Sequence, residues 1–277
     1  MTERTGLFPT SLGEVAYAAT GSGPVLVLLH GNPGDARDWD AVVGPLAQRH
    51  TVVRVDWPGY GRSPCTAGAM VGAPELAAVL DEVLDHIAEI SDQGGRKVVL
   101  VGHSVGGYAA LCQALTRPQR VAAMVLVAPG GFTRLTGPTR MVVRGMGSPS
   151  VGGRLAGPLA AAYTVRRTAA GRAASRRARS VRTSPCRSAV HSAVWRSFLD
   201  PAHDLRGRAG AITVPVLLTW GRLDPVVPWY SDGRRAAGLL PHAAVARFWS
   251  GHLPHAEVPE RWLAAVVPFL EGAYGNG

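Results

Sequence analysis

No apolar run in these 277 residues approaches the roughly 18 that a membrane-spanning helix needs. The longest, Val25 to Leu29 and Val121 to Ala128, have the length of buried strands. Charged residues are scarce, 17% against 47% hydrophobic, which excludes disordered and coiled-coil classes and leaves a globular chain with a sizeable core. Cysteine is limited to Cys65, Cys112 and Cys186, an odd number lying far apart without metal-ligand spacing. Neither a disulfide framework nor a zinc site is expected, and all three read as unpaired thiols. No metal or cofactor is called for. The opening stretch, MTERTGLFPTSLGEVAYAAT, lacks a basic segment followed by an apolar stretch and a small-residue cleavage site, so no secretory signal and a cytoplasmic protein are expected.

What is present is unevenly distributed. The formal net charge is +10, yet between Gly131 and Arg208 fifteen arginines face only Asp200 and Asp204, so this segment carries +13 and the remainder −3. Strand-like apolar runs disappear over the same residues, and the segment reads as an insertion that a glycine-rich, loosely held stretch opens at Gly145 to Gly157. Its densest part, Arg166 to Arg187, reads first as a solvated helical face, because charge runs mostly keep a face wet. Recognition of an anionic acyl substrate comes next. Nucleic acid is not expected, since no nucleic-acid-binding motif accompanies the charge.

On either side of the insertion, short apolar runs alternate with helical patterns. Strands are expected at Glu14 to Ala19, Val25 to His30, Thr51 to Asp56, Lys97 to Gly102 and Val121 to Ala128, then at Val214 to Trp220 and Ala243 to Trp249. Helices are expected at Ala36 to Gln48, Pro74 to Ile90, Val105 to Thr116, Trp229 to Leu240 and Glu260 to Leu270. The second of these repeats apolar residues at Leu76, Val79, Leu80, Val83, Leu84 and Ile87, the spacing of one helical face, with Pro74 suited to its first turn and Gly94 with Gly95 to its end. Continuously apolar strands separated by helices point to an α/β fold: a doubly wound, mostly parallel sheet with helices on both faces.

Chemistry gathers at the strand ends. In KVVLVGHSVGGY, Lys97 to Tyr108, a strand meets the turn Gly102-His103-Ser104-Val105-Gly106 and a helix begins behind it, the setting in which G-x-S-x-G exposes a nucleophilic hydroxyl. A serine needs a base, and the base a partner that fixes its tautomer. Asp224, in Gly221-Arg222-Leu223-Asp224-Pro225, follows a later strand and is the candidate acid; a turn aspartate before proline is the plain alternative. His252, in Gly251-His252-Leu253-Pro254-His255, follows the last strand and is the candidate base. His255 competes with it, or is a solvated or capping histidine, while His103 is pinned by the elbow backbone and reads as structural. An oxyanion hole needs two N–H donors. Val105 supplies one, and His30-Gly31-Asn32-Pro33-Gly34 turns just beyond a strand so that Asn32 is the candidate for the other; a plain turn is the alternative.

Taken together, the HGNPG loop, VDWPGYGRS at Val55 to Ser63, GHSVGG, GRLDPVVP and GHLPHAEVPE resemble the α/β-hydrolase superfamily over nearly the whole chain. The resemblance implies an eight-stranded sheet with a helical cap inserted after strand six. The core is then residues 1–130 and 209–277 and the Arg-rich cap residues 131–208. It also supports His252 as the catalytic histidine. Haloalkane dehalogenases and epoxide hydrolases of this fold carry an aspartate where Ser104 stands. Asn32 resembles the dehalogenase halide-binding asparagine, but the companion tryptophan is Val105 here. Proline iminopeptidases resemble the HGNPG loop yet read a substrate amine with cap carboxylates, of which this segment offers Asp200 and Asp204. The resemblance therefore implies a serine esterase-like member acting on a small-molecule ester, lactone or thioester through an acyl-serine intermediate. Carbon–carbon bond hydrolysis, perhydrolysis and a non-catalytic binder with the same fold are the alternatives. No motif speaks to oligomeric state.

Overall fold

A computed structural model describes all residues except 1, 66–70, 91–96, 153, 155–161, 167 and 276–277. Eight strands form one sheet: β1 Arg4–Thr10, β2 Gly13–Thr20, β3 Val25–Leu29, β4 Thr51–Val55, β5 Val98–His103, β6 Val121–Val127, β7 Val216–Gly221 and β8 Ala244–Phe248. Their order is β1-β2-β4-β3-β5-β6-β7-β8. Pairing is antiparallel for β1 with β2 and β2 with β4, and parallel elsewhere. The sheet is thus mostly parallel, as expected, with an antiparallel edge. That edge holds the one strand the sequence hides. Of β1 only Phe8 is buried, so no apolar run marks it.

The parallel strands β3, β5 and β7 are buried at every position, because helices cover both faces. On one face Val27, Leu29, Leu100, Leu126 and Leu218 pack with the apolar stripe of α2, Ala73–Ile90, and with α3, Val105–Thr116. On the other, Leu26, Leu28, Val99, Val101 and Val125 pack with Val42 and Leu46 of α1, Asp40–Leu46, and Trp262, Val266 and Leu270 of the last helix, α8, Pro259–Gly275. Neighbouring strand residues serve opposite cores, the two-residue period of a pleated strand. Each such aliphatic side chain stabilises the fold by about 1.5–3 kcal/mol.

Between β6 and β7 lie α4 Gly137–Met146, α5 Ala169–Arg179 and α6 Pro185–Ser197. Each starts where a hydroxyl can take up free backbone N–H groups: Thr136 accepts from Thr139, Thr168 from Gly171 at 3.0 Å, and Ser184 from Arg187 at 3.3 Å. Val190 and Val194 of α6 join the core that contains α2 and α3. Gly94, Gly95, and residues 153 and 155–157 of the glycine-rich stretch lie outside the described residues; Gly145 ends up inside α4.

The arginine-rich segment is less solvated than its composition suggests. Arg177 of α5 reaches down to two buried carboxylates after β3, donating from Nη2 to Asp38 Oδ1 and standing 3.3 Å from Asp35 Oδ1. Arg187 of α6 donates to the Gly61 carbonyl at 3.0 Å. The expectation of three unpaired thiols is corrected for two of them. Cys65 and Cys186 form a disulfide across 121 residues, because the loop after β4 lies beneath the start of α6; spacing along the chain does not register that approach. Cys112 is free and half-buried. Among the described residues no helix is long and apolar enough to cross a membrane.

Candidate active site

The turn from β5 into α3 holds Ser104 at φ 53°, a conformation that L residues adopt at a cost, and among the described non-glycine residues only Ala128 shares it. Two close approaches make the turn possible. A Cβ on Gly106 would stand 2.3 Å from the Leu29 carbonyl oxygen, and one on Gly31 would stand 3.1 Å from Ser104 Cβ. The loop after β3 therefore lies directly against the serine. Ser104 N–H donates to Val127 O at 2.9 Å, and its carbonyl accepts from Tyr108 and Gly130, so the strained residue is tied at both ends. Val105 is the first residue of α3, where backbone N–H groups have no partner within the helix and the dipole is positive.

Asp224 follows β7 and His252 follows β8, at the same carboxyl-end rim as Ser104. The two side chains are buried together, with His252 Nδ1–H donating to Asp224 Oδ2 at 2.6 Å. Asp224 Oδ1 accepts from the backbone N–H groups of Val226 and Val227 at 2.8 and 3.0 Å. Three donors thus converge on one carboxylate, and the bond it accepts from Nδ1–H is the one that orients the imidazole. The sequence pairing of Asp224 with His252 is thus brought together in space, and the plain turn aspartate is also present, since the same carboxylate closes its own turn.

His103 immediately precedes the serine and packs against His252. Its Nε2–H donates to the His252 carbonyl at 3.1 Å and its ring lies 4.5 Å from the His252 ring. Burial, with His252 and His255 nearby, holds its pKa well below the usual histidine range, so it is a neutral strut. His255 is neither solvated nor capping. It is wholly buried, stacked on Trp39 at 4.1 Å, and burial beside His252 pushes its pKa down to about 3. A base that must take up a proton near neutral pH does not fit there.

Four residues that the sequence left unread also shape the site. Glu257 is buried and accepts from the N–H groups of Gly251 and Arg166 at 3.1 and 2.8 Å, caging the loop that carries His252. Tyr163 accepts from the His252 N–H through its carbonyl at 2.7 Å. The Asn32 side chain is bound from two directions: Tyr60 Oη–H donates to its Oδ1 at 2.6 Å, and His191 Nδ1–H donates to the same oxygen at 2.9 Å. Glu257 had a signal, an acidic residue five positions after the histidine and just before a helix. Tyr163 and His191 had none, because their roles depend on how the segment between β6 and β7 folds back.

Ser104, Val105 and Asn32 line one cavity of about 210 Å³. Its wall is largely apolar, with Val143 and Met146 of α4, Val194 and Phe198 at the end of α6, and Val226 after β7. Among the described residues no arginine lines it, whereas Asp200 and Asp204 do. A second, small cavity of about 20 Å³ lies behind, between Gly31, Asn32, His103 and His252. Among the described residues no group of acidic, histidine or cysteine side chains could hold a metal ion.

Among known proteins, the chain is similar to a dihydrolipoyllysine-residue acetyltransferase component of the acetoin cleaving system of Cupriavidus necator, 39% identical over 122 residues, 43% of this chain and 30% of that protein. It is also similar to a pimeloyl-[acyl-carrier protein] methyl ester esterase of Klebsiella pneumoniae, 37% identical over 118 residues, 42% of this chain and 41% of the relative. The chain spans less than half the length of each of these relatives. A thermophilic esterase from Thermogutta terrifontis has the same fold, with a TM-score of 0.82 at 21% identity, covering 98% of this chain and 99% of that one. Residues 24–259 match the family described as alpha/beta hydrolase fold, and on that match the chain belongs to the alpha/beta hydrolase fold family.

Proposed function

We propose that this chain is a serine hydrolase that cleaves a carboxylic ester of a neutral, largely apolar acyl group through an acyl-Ser104 intermediate. The observation that carries the reading is the buried Asp224–His252 pair, 2.6 Å apart, set on the same strand-end rim as the strained Ser104. Ser104 Oγ attacks the ester carbonyl carbon and its proton passes to His252 Nε2, while Asp224 stabilises the imidazolium. The carbonyl oxygen becomes an oxyanion and accepts from the backbone N–H groups of Asn32 and Val105. Collapse expels the alcohol oxygen, which takes the proton from His252. Water then attacks the acyl carbon, giving its proton to His252, and the second collapse releases the carboxylic acid and returns the proton to Ser104. No cofactor enters this scheme.

The apolar wall favours a hydrocarbon acyl group over the anionic substrate that the arginine-rich segment suggested, because among the described residues no arginine lines the cavity and two carboxylates do. Residues 131–208 act as a cap over a core of residues 1–130 and 209–277. The Cys65–Cys186 bridge favours an oxidising compartment over the cytoplasm. Hydrolysis of p-nitrophenyl esters of increasing acyl length, by wild type and Ser104→Ala, tests the reading. Turnover by wild type with a loss of about a thousandfold or more in the variant is expected. Equal rates in both would remove Ser104 as nucleophile.

A further inference from the structure

The cap and the reacting centre meet at one side chain. Asn32, whose backbone N–H faces the oxyanion in the scheme above, has its amide held entirely from outside its own loop. Its Oδ1 accepts from Tyr60 and from His191 Nδ1, and its Nδ2–H donates to the His191 carbonyl at 3.2 Å. Two of these three bonds come from a single residue of α6. His191 is wholly buried, and its ring Nε2 has no hydrogen-bond partner in the protein, so the ring is kept there at the cost of an unsatisfied polar atom. A residue serving only to fill space on α6 would be better chosen apolar. Burial pushes its pKa down to about 4, which leaves one ring proton, and Asn32 receives it. Tyr60 is buried and its hydroxyl is pushed above the usual range by burial, so it stays a neutral donor.

We infer that His191, with Tyr60 behind it, is a positioning residue of the hydrolytic reaction: it fixes the Asn32 amide, and so the aim of the Asn32 backbone N–H at the oxyanion, making that half of the oxyanion hole depend on α6 being docked. The inference rests on the hydrolase reading and extends it. An N–H that is misaimed loses its effect mainly where charge develops, so the deficit falls on kcat and not on KM.

The test uses the whole chain as wild type, His191→Leu, His191→Asn, Tyr60→Phe and Ser104→Ala. All but Ser104→Ala, which has no serine there to label and is compared per mole of protein, are titrated to their endpoint with a p-nitrophenyl alkylphosphonate so that rates are expressed per reactive serine. His191→Leu should lose about 10- to 100-fold in kcat per titrated site, less than the loss of a whole oxyanion donor, with KM within about twofold and slower phosphonate labelling to the same endpoint. His191→Asn, which can again donate near the Nδ1 position, should recover most of the loss. Tyr60→Phe, which keeps the ring and removes one donor, should show a smaller deficit of the same kind. A purely structural role would lower the titrated fraction or the melting temperature while leaving kcat per site unchanged, and that result overturns the inference. So does an Asn variant as poor as the Leu variant. If Ser104→Ala keeps wild-type turnover, the hydrolase reading itself fails; if it is inactive while His191→Leu is unimpaired, only the positioning role fails.

Discussion

Histidines in this chain differ in what burial has done to them. His103, His191 and His255 are each buried, and burial holds each pKa down, to about 4 for His191 and about 3 for His255. An unfolded chain would protonate the same side chains near 6.5. Between those values the unfolded state binds more protons than the folded one, so their contribution to stability is present above about pH 6.5 and is lost as pH falls toward 4. Each histidine contributes a slope of about 1.4 kcal/mol per pH unit in that window. Asp38 and Glu257 act with the opposite sign, since burial raises their carboxyl pKa values and protonation favours the fold. Burial also holds His50 down and raises Asp40, so four histidines stand against three carboxyls and the balance is a net acid lability. Urea midpoints at pH 7, 5.5 and 4.5 should fall steadily, and His255→Phe, which keeps the stack on Trp39 without titrating, should give a visibly shallower fall. A wild-type midpoint that stays level over this range would contradict the assignment of neutral, buried rings.

At the scale of elements, how the Ser104 turn is built explains both what was legible and what was not. Gly106 brings α3 against the end of β3, with a Cβ there only 2.3 Å from the Leu29 carbonyl oxygen, a backbone atom that cannot swing away. Gly106→Ala should therefore destabilise the fold by about 2 kcal/mol or more and abolish turnover, whereas Gly238→Ala at an exposed position of α7, Arg234–Leu239, where nothing stands within 4 Å, should be neutral or slightly stabilising. Melting temperatures of the pair decide it, and a Gly106→Ala variant as stable as wild type would mean that the turn relaxes freely. This constraint is local, so it leaves a local pattern, and the positions of Ser104, Asp224 and His252 at the ends of their strands are legible from strand, glycine and turn. The parallel strands were found for the same reason, being apolar at every position. β1 was not, because an edge strand with one buried residue has no apolar signature. His191 and Tyr163 were out of reach because each meets its partner only by the return of the segment between β6 and β7 onto the core, and Tyr60 because its partner Asn32 is brought close by the pairing of β3 with β4. His255 was misjudged as solvated or capping because its burial depends on Trp39, more than 200 residues away in sequence.

Across the whole molecule, the segment between β6 and β7 is fastened to the rest at separate points of different chemistry. Arg177 pairs with Asp35 and Asp38, His191 binds Asn32, Arg187 binds Gly61, and Cys186 is bonded to Cys65. The first two converge on the loop after β3, and the last two on the loop after β4, so α5 and α6 are fastened on the β4–β3 side of the strand that leads to Ser104. Only the disulfide acts on the unfolded chain as well, where it closes a loop spanning a sequence separation of 121. Reduction, or Cys65→Ser, should therefore lower stability by about 2–4 kcal/mol, a drop of about 5–15 °C in melting temperature for a chain of this size. The other fastenings remain after reduction, and the buried Val190, His191 and Val194 still seat α6, so kcat at 25 °C should change by less than about twofold. Alkylation provides the companion measurement: in denaturant without reductant, mass spectrometry should find one modified cysteine, Cys112, and after reduction all three. Three modified thiols before reduction would mean that the bridge does not form in the isolated protein. A large fall in kcat on reduction would mean instead that the bridge, and not the buried contacts, is what keeps α6 seated over Ser104.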